Sequence, residues 1–365
     1  MNKKIIVVSG INMTNSGLLS IMTDCLKELS EYSKNRNIEI IALVHKKSLF
    51  SIPNITYFEF PKSKKSWMYR LYYEFIYFRT LSKKLKPDLW FSMHDLSPRV
   101  LCPKKYVYCH NPSPFYQPSI KDWRFGFKIS LFALFYKYAY QINIKSNTAV
   151  FVQQNWIKTT FEKWYGITNC RVAHPETKVS KTSWKIELDS SKIHFFYPTS
   201  PRMFKNLELI FESILRLPNE LKEKVQFHVT FSGTENAYAR FLYEKYNRHG
   251  QFKFIGTIPR VQISGYYQAM DALLFSSKLE TWGLPITESK EFSQPIFVSD
   301  LPYAHETIGN YDRVCFFDTK NSEDLTSKLT SFIEGKNPFI TTNVPTESEA
   351  DFIGWESVFN YIFTD

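Results

Sequence analysis

Twice along the chain, short runs of β-branched and aromatic residues alternate with longer stretches of helical period, and the alternation restarts after residue 191. The first series has candidate strands at 4–9, 38–44, 55–60, 88–92, 105–109 and 148–153, with helical patterns around 16–34, 66–85, 124–145 and 154–164. The second has strands at 192–197, 225–231, 252–255, 271–275, 295–298 and 313–317, with helices near 205–216, 236–246, 261–269 and 285–292. Such alternation predicts βαβ units and parallel sheets. The fold class is therefore read as α/β, two doubly wound Rossmann-like domains facing across a cleft at the carboxyl ends of their strands. Predicted boundaries are 1–178 for the N-terminal domain, a Lys/Ser/Thr-rich linker at 179–191 and 192–344 for the C-terminal domain. The tail 345–365 reads as a helix, packing back on the first domain or simply capping the second.

At 365 residues two domains are the natural expectation, and 44% apolar with 17% aromatic content is ample for two cores. Five scattered cysteines (Cys25, Cys102, Cys109, Cys170, Cys315) without metal-ligand spacing point to reduced thiols and a cytoplasmic location. Ile5-Ile6-Val7-Val8 is too short for a signal-peptide core and reads as a buried first strand. The net charge of +11 is uneven: residues 1–180 carry 27 Lys+Arg against 11 Asp+Glu, and the remainder 19 against 24. The first half therefore attracts anions.

The most informative string is Glu280-Thr-Trp-Gly-Leu-Pro-Ile-Thr-Glu288, which follows the strand Ala272-Leu273-Leu274-Phe275. Pro285 suits the first turn of a helix, where its missing N–H has no partner to lose. Glu280 is then on a loop at the strand's carboxyl end and Glu288 one turn into the helix. Two such carboxylates can accept hydrogen bonds from sugar and ribose hydroxyls. The free N–H groups of the helix start beside them favour a pyrophosphate.

With Gln294-Pro295-Ile296-Phe297-Val298-Ser299-Asp300 behind it, the string resembles the donor site of glycosyltransferase family 4 and its GT-B relatives, written E-G/T-F-G-L-P-x-x-E-A and then G-x-P-V-I-x-S/T. Tyr197 to Asn206 is similar to the family's G-R-x-x-x-x-K-N segment, whose cations clamp the donor diphosphate. Lys205 and Asn206 match. Ser200 stands where the family has arginine, and Arg202 is the substitute two residues on. Phe254 to Pro259 resembles the loop whose backbone, here around Ile258, contacts the base, and Gly233 resembles the strand-end glycine beside the nucleotide. The resemblance implies donor contacts from Gly17, Ser200, Arg202, Lys205, Asn206, Gly233, Ile258, Glu280, Trp282, Gly283, Leu284, Pro285 and Glu288, with Glu280, Arg202 and Lys205 acting in catalysis.

In the first half, His110 ends the strand Tyr106-Val107-Tyr108-Cys109 before a Pro-containing loop, and resembles the histidine that relatives place beside the donor sugar. It joins the expected catalytic set. His94 and Asp95, with Asn111, are candidates for the acceptor pocket. Gly17 follows strand one, where a glycine loop approaches the diphosphate.

Residues 62–86 hold eight basic side chains and one acid, Glu74, among many aromatics, the makeup of a helix on an anionic membrane. A second such stretch runs from Trp123 to Lys137 and reads as core-packing.

The expectation is a retaining, metal-independent transferase moving sugar from a nucleotide sugar to a glycan or lipid-linked glycan, in surface polysaccharide biosynthesis. No cofactor and no metal is expected: no Asp-x-Asp string occurs, and the histidines lack zinc spacing. An anionic membrane surface is a candidate partner, peripheral on the inner face of the cell membrane, and nucleic acid is not, since no recognisable module accompanies the charge. The competing readings are a sugar-nucleotide epimerase of GT-B shape and a non-catalytic binding or scaffold protein.

Overall fold

A computed structural model describes residues 3–14, 16–118, 120–176, 183–343 and 350–364. The linker and tail expected from sequence thus lie partly outside the described residues, at 179–182, 345–349 and 365.

The first sheet contains β1 (Lys4–Gly10), β2 (Ile38–Val44), β3 (Ile55–Glu59), β4 (Leu89–Ser92), β5 (Lys104–Cys109), β6 (Ala149–Val152) and β7 (Cys170–His174). The short strand Phe352–Ile353 pairs beside β7, giving the order Phe352–Ile353, β7, β6, β5, β4, β1, β2, β3, with every pairing parallel. The second sheet contains β8 (Ile193–Tyr197), β9 (Val225–Val229), β10 (Phe252–Phe254), β11 (Ala272–Phe275), β12 (Ile296–Ser299), β13 (Asn310–Phe317) and β14 (Ile340–Asn343). Its order is β10, β9, β8, β11, β12, β13, β14, and β14 alone is antiparallel to its neighbour.

Strands buried on both faces read as continuous apolar runs, because helices cover each side of a parallel sheet. Val7, Val8, Leu43 and Val44 are fully buried in the first sheet, and Phe195, Phe196, Leu273 and Phe297 in the second. Strands β7 and β14 have no counterpart in the sequence reading. Cys170–His174 has Arg171 as its second residue and a terminal histidine, and Ile340–Asn343 has one large apolar residue, so neither stands out as an apolar run.

Two compact units emerge, one of residues 1–114, 135–176 and 349–365, the other of 115–134 and 177–348. The sequence boundary at 178 keeps 115–134 with the first domain, whereas packing assigns it to the second unit. Phe125 packs at a tilt against Tyr238 and Phe241, and Tyr116 meets Phe204 edge-on. In the first unit the tail helix Gly354–Thr364 buries Val358, Phe359 and Ile362 in the cluster that holds Leu26 and Leu29 of the helix Ser16–Ser33. Gly354 has a positive φ of 70°, and a Cβ there would lie 2.8 Å from Glu176 Oε2.

The helix Ile120–Gln141 corrects one expectation. It buries Ser130, Ala133, Tyr136 and Tyr140 on one side, but Phe127, Leu131, Leu134, Phe135 and Tyr138 are exposed. With apolar residues all round, its sequence gave no contrast between the two faces.

Candidate active site

In each sheet the chain turns back at a switch point, where neighbouring strands lead their loops to opposite sides and leave a crevice at their carboxyl ends. In the second unit that point lies between β8 and β11. The loops that leave these two strands carry Ser200 to Asn206 and Ser276 to Gly283.

Those two loops are stitched together through main-chain groups. Lys278 N–H donates to the Phe204 carbonyl at 2.7 Å, and Ser276 Oγ to the carbonyls of Lys205 at 2.8 Å and Asn206 at 3.1 Å. Asn206 holds a left-handed conformation at φ 55°, one of the few non-glycine types that do so readily. Its amide donates to the Thr319 carbonyl at 2.9 Å. That geometry delivers Lys205 Nζ to within 2.5 Å of Glu280 Oε1. Both side chains are mostly shielded, at 15% and 13% exposure, so the pair interacts in a less screened setting than a surface bridge. The rings of Phe204 and Phe275 lie 5.4 and 5.8 Å from the ammonium.

Gly283 precedes the helix Leu284–Glu291 at φ 94°, a conformation that L side chains rarely adopt, and Pro285 sits in the first turn. Trp282 is buried, its indole N–H donating to Thr287 Oγ1 at 2.9 Å while its carbonyl accepts from the Thr307 hydroxyl. Ser277 O accepts from Tyr303 at 2.6 Å. The Trp-Gly turn is thus fixed from both ends.

On the same helix Glu288 accepts from Tyr267 Oη at 3.1 Å and lies 4.0 Å from Arg260. Burial raises its carboxyl pKa, with Arg260 and then Tyr267 pulling it back. Neither Arg260 nor Tyr267 was anticipated; they lie 28 and 21 residues away on a helix (Arg260–Ala269) that the sequence gives no reason to bring there.

Gly233 has φ 96°, and a Cβ there would lie 2.6 Å from Tyr243 Cβ, so glycine is required. Both Ser232 and Gly233 donate main-chain N–H groups to Glu235. Ile258 is half-buried, and Ser200 and Arg202 are exposed, with the Arg202 carbonyl accepting from Lys205 N–H at 2.9 Å.

In the first unit the switch point lies between β1 and β4. Gly17 is exposed in the first turn of the helix Ser16–Ser33, and a Cβ there would meet nothing. Asp95 and His94 follow β4, and His110 and Asn111 follow β5. Asp95, expected in an acceptor pocket, is instead engaged by its own chain: Oδ1 accepts from His110 N–H at 2.9 Å, Asn111 N–H at 3.1 Å and Tyr140 Oη at 2.9 Å, and Oδ2 from Tyr136 Oη at 3.4 Å. At φ 67° it anchors the loop that carries His110. Burial lowers the His110 pKa, aided by Arg70 and opposed by Asp95. His94 falls further, through burial, Arg70, His110 and Lys64, and Arg70 also donates to its carbonyl at 2.7 Å. Both rings are neutral near pH 7. Asn111 Oδ1 accepts from Ser113 N–H at 3.0 Å.

With this geometry in view, residues 179–344 match the family model described as glycosyl transferases group 1. That stretch is a group 1 glycosyltransferase domain. Comparison with curated proteins returns no match. Among solved structures, sucrose-phosphate synthase from Thermosynechococcus elongatus is similar at a TM-score of 0.67 and 11% identity, covering 91% of this chain and 90% of that one. The lipopolysaccharide outer core galactosyltransferase WaaB is similar at 0.63 and 13%, covering 99% of each. HepE from Anabaena, in complex with UDP-glucose, is similar at 0.62 and 13%, covering 99% and 98%. At such identities the likeness is one of fold, and the fold of this chain is GT-B, built from two Rossmann-like domains.

Proposed function

We propose that the chain is a retaining, metal-independent glycosyltransferase that moves a sugar from a nucleotide-sugar donor to a glycan or lipid-linked glycan in surface polysaccharide biosynthesis, working at the cytoplasmic face of a membrane. The observation that carries this reading is the Lys205–Glu280 pair at the switch point of the second sheet. A shielded lysine there suits the growing negative charge of a nucleoside diphosphate leaving group, and the carboxylate beside it suits sugar hydroxyls. Arg202 adds a second cation at the mouth, and Glu288 takes the ribose hydroxyls. The first turn of the helix Leu284–Glu291 turns its main-chain N–H groups toward the diphosphate. Cationic side chains then do what a divalent metal does in other transferases, which supports the metal-independent reading. The UDP-glucose complex of HepE supports a nucleotide-sugar donor.

The test is transfer from a panel of nucleotide sugars to a saccharide acceptor in the presence of EDTA, with the product anomer assigned by proton NMR. Retention with undiminished rate is expected. Inversion, or loss of turnover restored by a divalent ion, would overturn the reading.

A further inference from the structure

The segment after β3 has an inside-out pattern. A helix Trp67–Tyr72, a π-helical turn Tyr73–Tyr77 and a helix Phe78–Leu85 follow without a break. Their buried side holds Arg70 and Glu74 beside Phe78 and Leu81. Burial pushes the Glu74 carboxyl up to about 7, with Arg70 pulling it back. The solvent side carries the apolar residues instead: Met68 is 75% exposed, Tyr72 46% and Ile76 61%.

Those three are spaced four apart, so they form one row along the helical surface. Lys65 ends the turn before the extended Ser66 and flanks the row at its start, and Arg79 and Lys83 extend it by three and four residues, all exposed. Apolar groups in the middle with cations at both ends match the depth profile of a bilayer interface, where aliphatic and aromatic groups sit among acyl chains and ammonium groups reach the headgroups. Charge decides the lipid. Over residues 62–86 the one carboxylate, Glu74, is buried, and every exposed charge is cationic. A protein partner is ordinarily matched by mixed charges, whereas an anionic membrane plane favours cations alone. No helix among the described residues is long and apolar enough to cross a membrane, so the segment lies on the surface.

We infer that the row Lys65–Met68–Tyr72–Ile76–Arg79–Lys83 is a docking face for an anionic phospholipid bilayer. It serves the lipid-linked acceptor of the proposed function, but its test reads binding and not transfer, so either claim can fail alone.

The test is co-sedimentation of the full chain with phosphatidylcholine vesicles, with and without phosphatidylglycerol. Binding is expected only with the anionic lipid, and weaker at high salt. Lys65→Gln, Arg79→Gln and Lys83→Gln each lower the partition coefficient about fivefold. Met68→Ser combined with Ile76→Ser lowers it by roughly tenfold or more. Circular dichroism and transfer to a water-soluble acceptor stay at the wild-type level in all of them, which separates lost docking from misfolding. The inference is overturned if anionic vesicles do not bind the protein or if these variants bind as the wild type does. It is equally overturned if only Phe135→Ser and Tyr138→Ser on the helix Ile120–Gln141 abolish binding, or if the row variants break a dimer instead.

Discussion

Lys205 Nζ stands 2.5 Å from Glu280 Oε1, joining the loop after β8 to the loop after β11. Without a ligand each charge satisfies the other. Under the proposed function, a diphosphate arriving beside Lys205 would replace that partner and leave Glu280 to accept from a sugar hydroxyl. Lys205→Ala should therefore lower kcat/KM by about 10² to 10³, the usual cost of removing one charge-stabilising donor from an active site. Steady-state kinetics measure this, and because the mostly shielded Glu280 loses its partner, the melting temperature should fall as well.

Arg260 is the neighbour that keeps Glu288 from titrating still higher. If Glu288 accepts ribose hydroxyls as a carboxylate, kcat/KM rises with pH as that group ionises. Arg260→Ala should shift this acidic limb to higher pH and raise the donor KM. An unchanged pH profile would remove Arg260 from the site.

Asp95 bonds two main-chain N–H groups and two tyrosine hydroxyls from a left-handed conformation. Asp95→Ala leaves buried donors without an acceptor and puts alanine where it is strained, a loss of about 3 kcal/mol or more by urea unfolding. Asp95→Asn tolerates the backbone and keeps one oxygen, so it should fall between the wild type and Asp95→Ala.

Glu74 gives a stability signature with a definite sign. Its carboxyl pKa in the fold, about 7, is above the ordinary 4.5, so the folded chain holds this proton more tightly than the unfolded one. The associated stability is fully present below about pH 4.5 and is lost as pH rises toward 7. Glu74→Gln should remove that slope, leaving the variant more stable than the wild type at pH 8 by on the order of a few kcal/mol. Urea titrations at pH 5 and pH 8 compare the two.

Much of this was legible in the chain. The restarting strand–helix alternation marks two doubly wound sheets because parallel strands, buried on both faces, appear as uninterrupted apolar runs. Lys205-Asn206 and the Glu280 to Glu288 string are also visible, since glycine at φ 94° and proline at a helix start leave residue-type signatures. What escaped were long-range meetings. Nothing local announces that Arg260 and Tyr267 reach Glu288, or that Tyr136 and Tyr140 turn Asp95 from a pocket residue into an anchor. The helix Ile120–Gln141 hid its exposed face for a related reason: apolar on every side, it has no polar stripe to mark the solvent.

On the proposed function, Lys205 and Glu288 line a nucleotide-sugar site. Isothermal titration of the wild type, Lys205→Ala and Glu288→Ala with a panel of nucleotide sugars tests it most directly. One donor should bind the wild type, with each variant weakening that affinity by at least about tenfold, a change of about 1.4 kcal/mol. Equal affinity in all three proteins, or no binding by any nucleotide sugar, would contradict it.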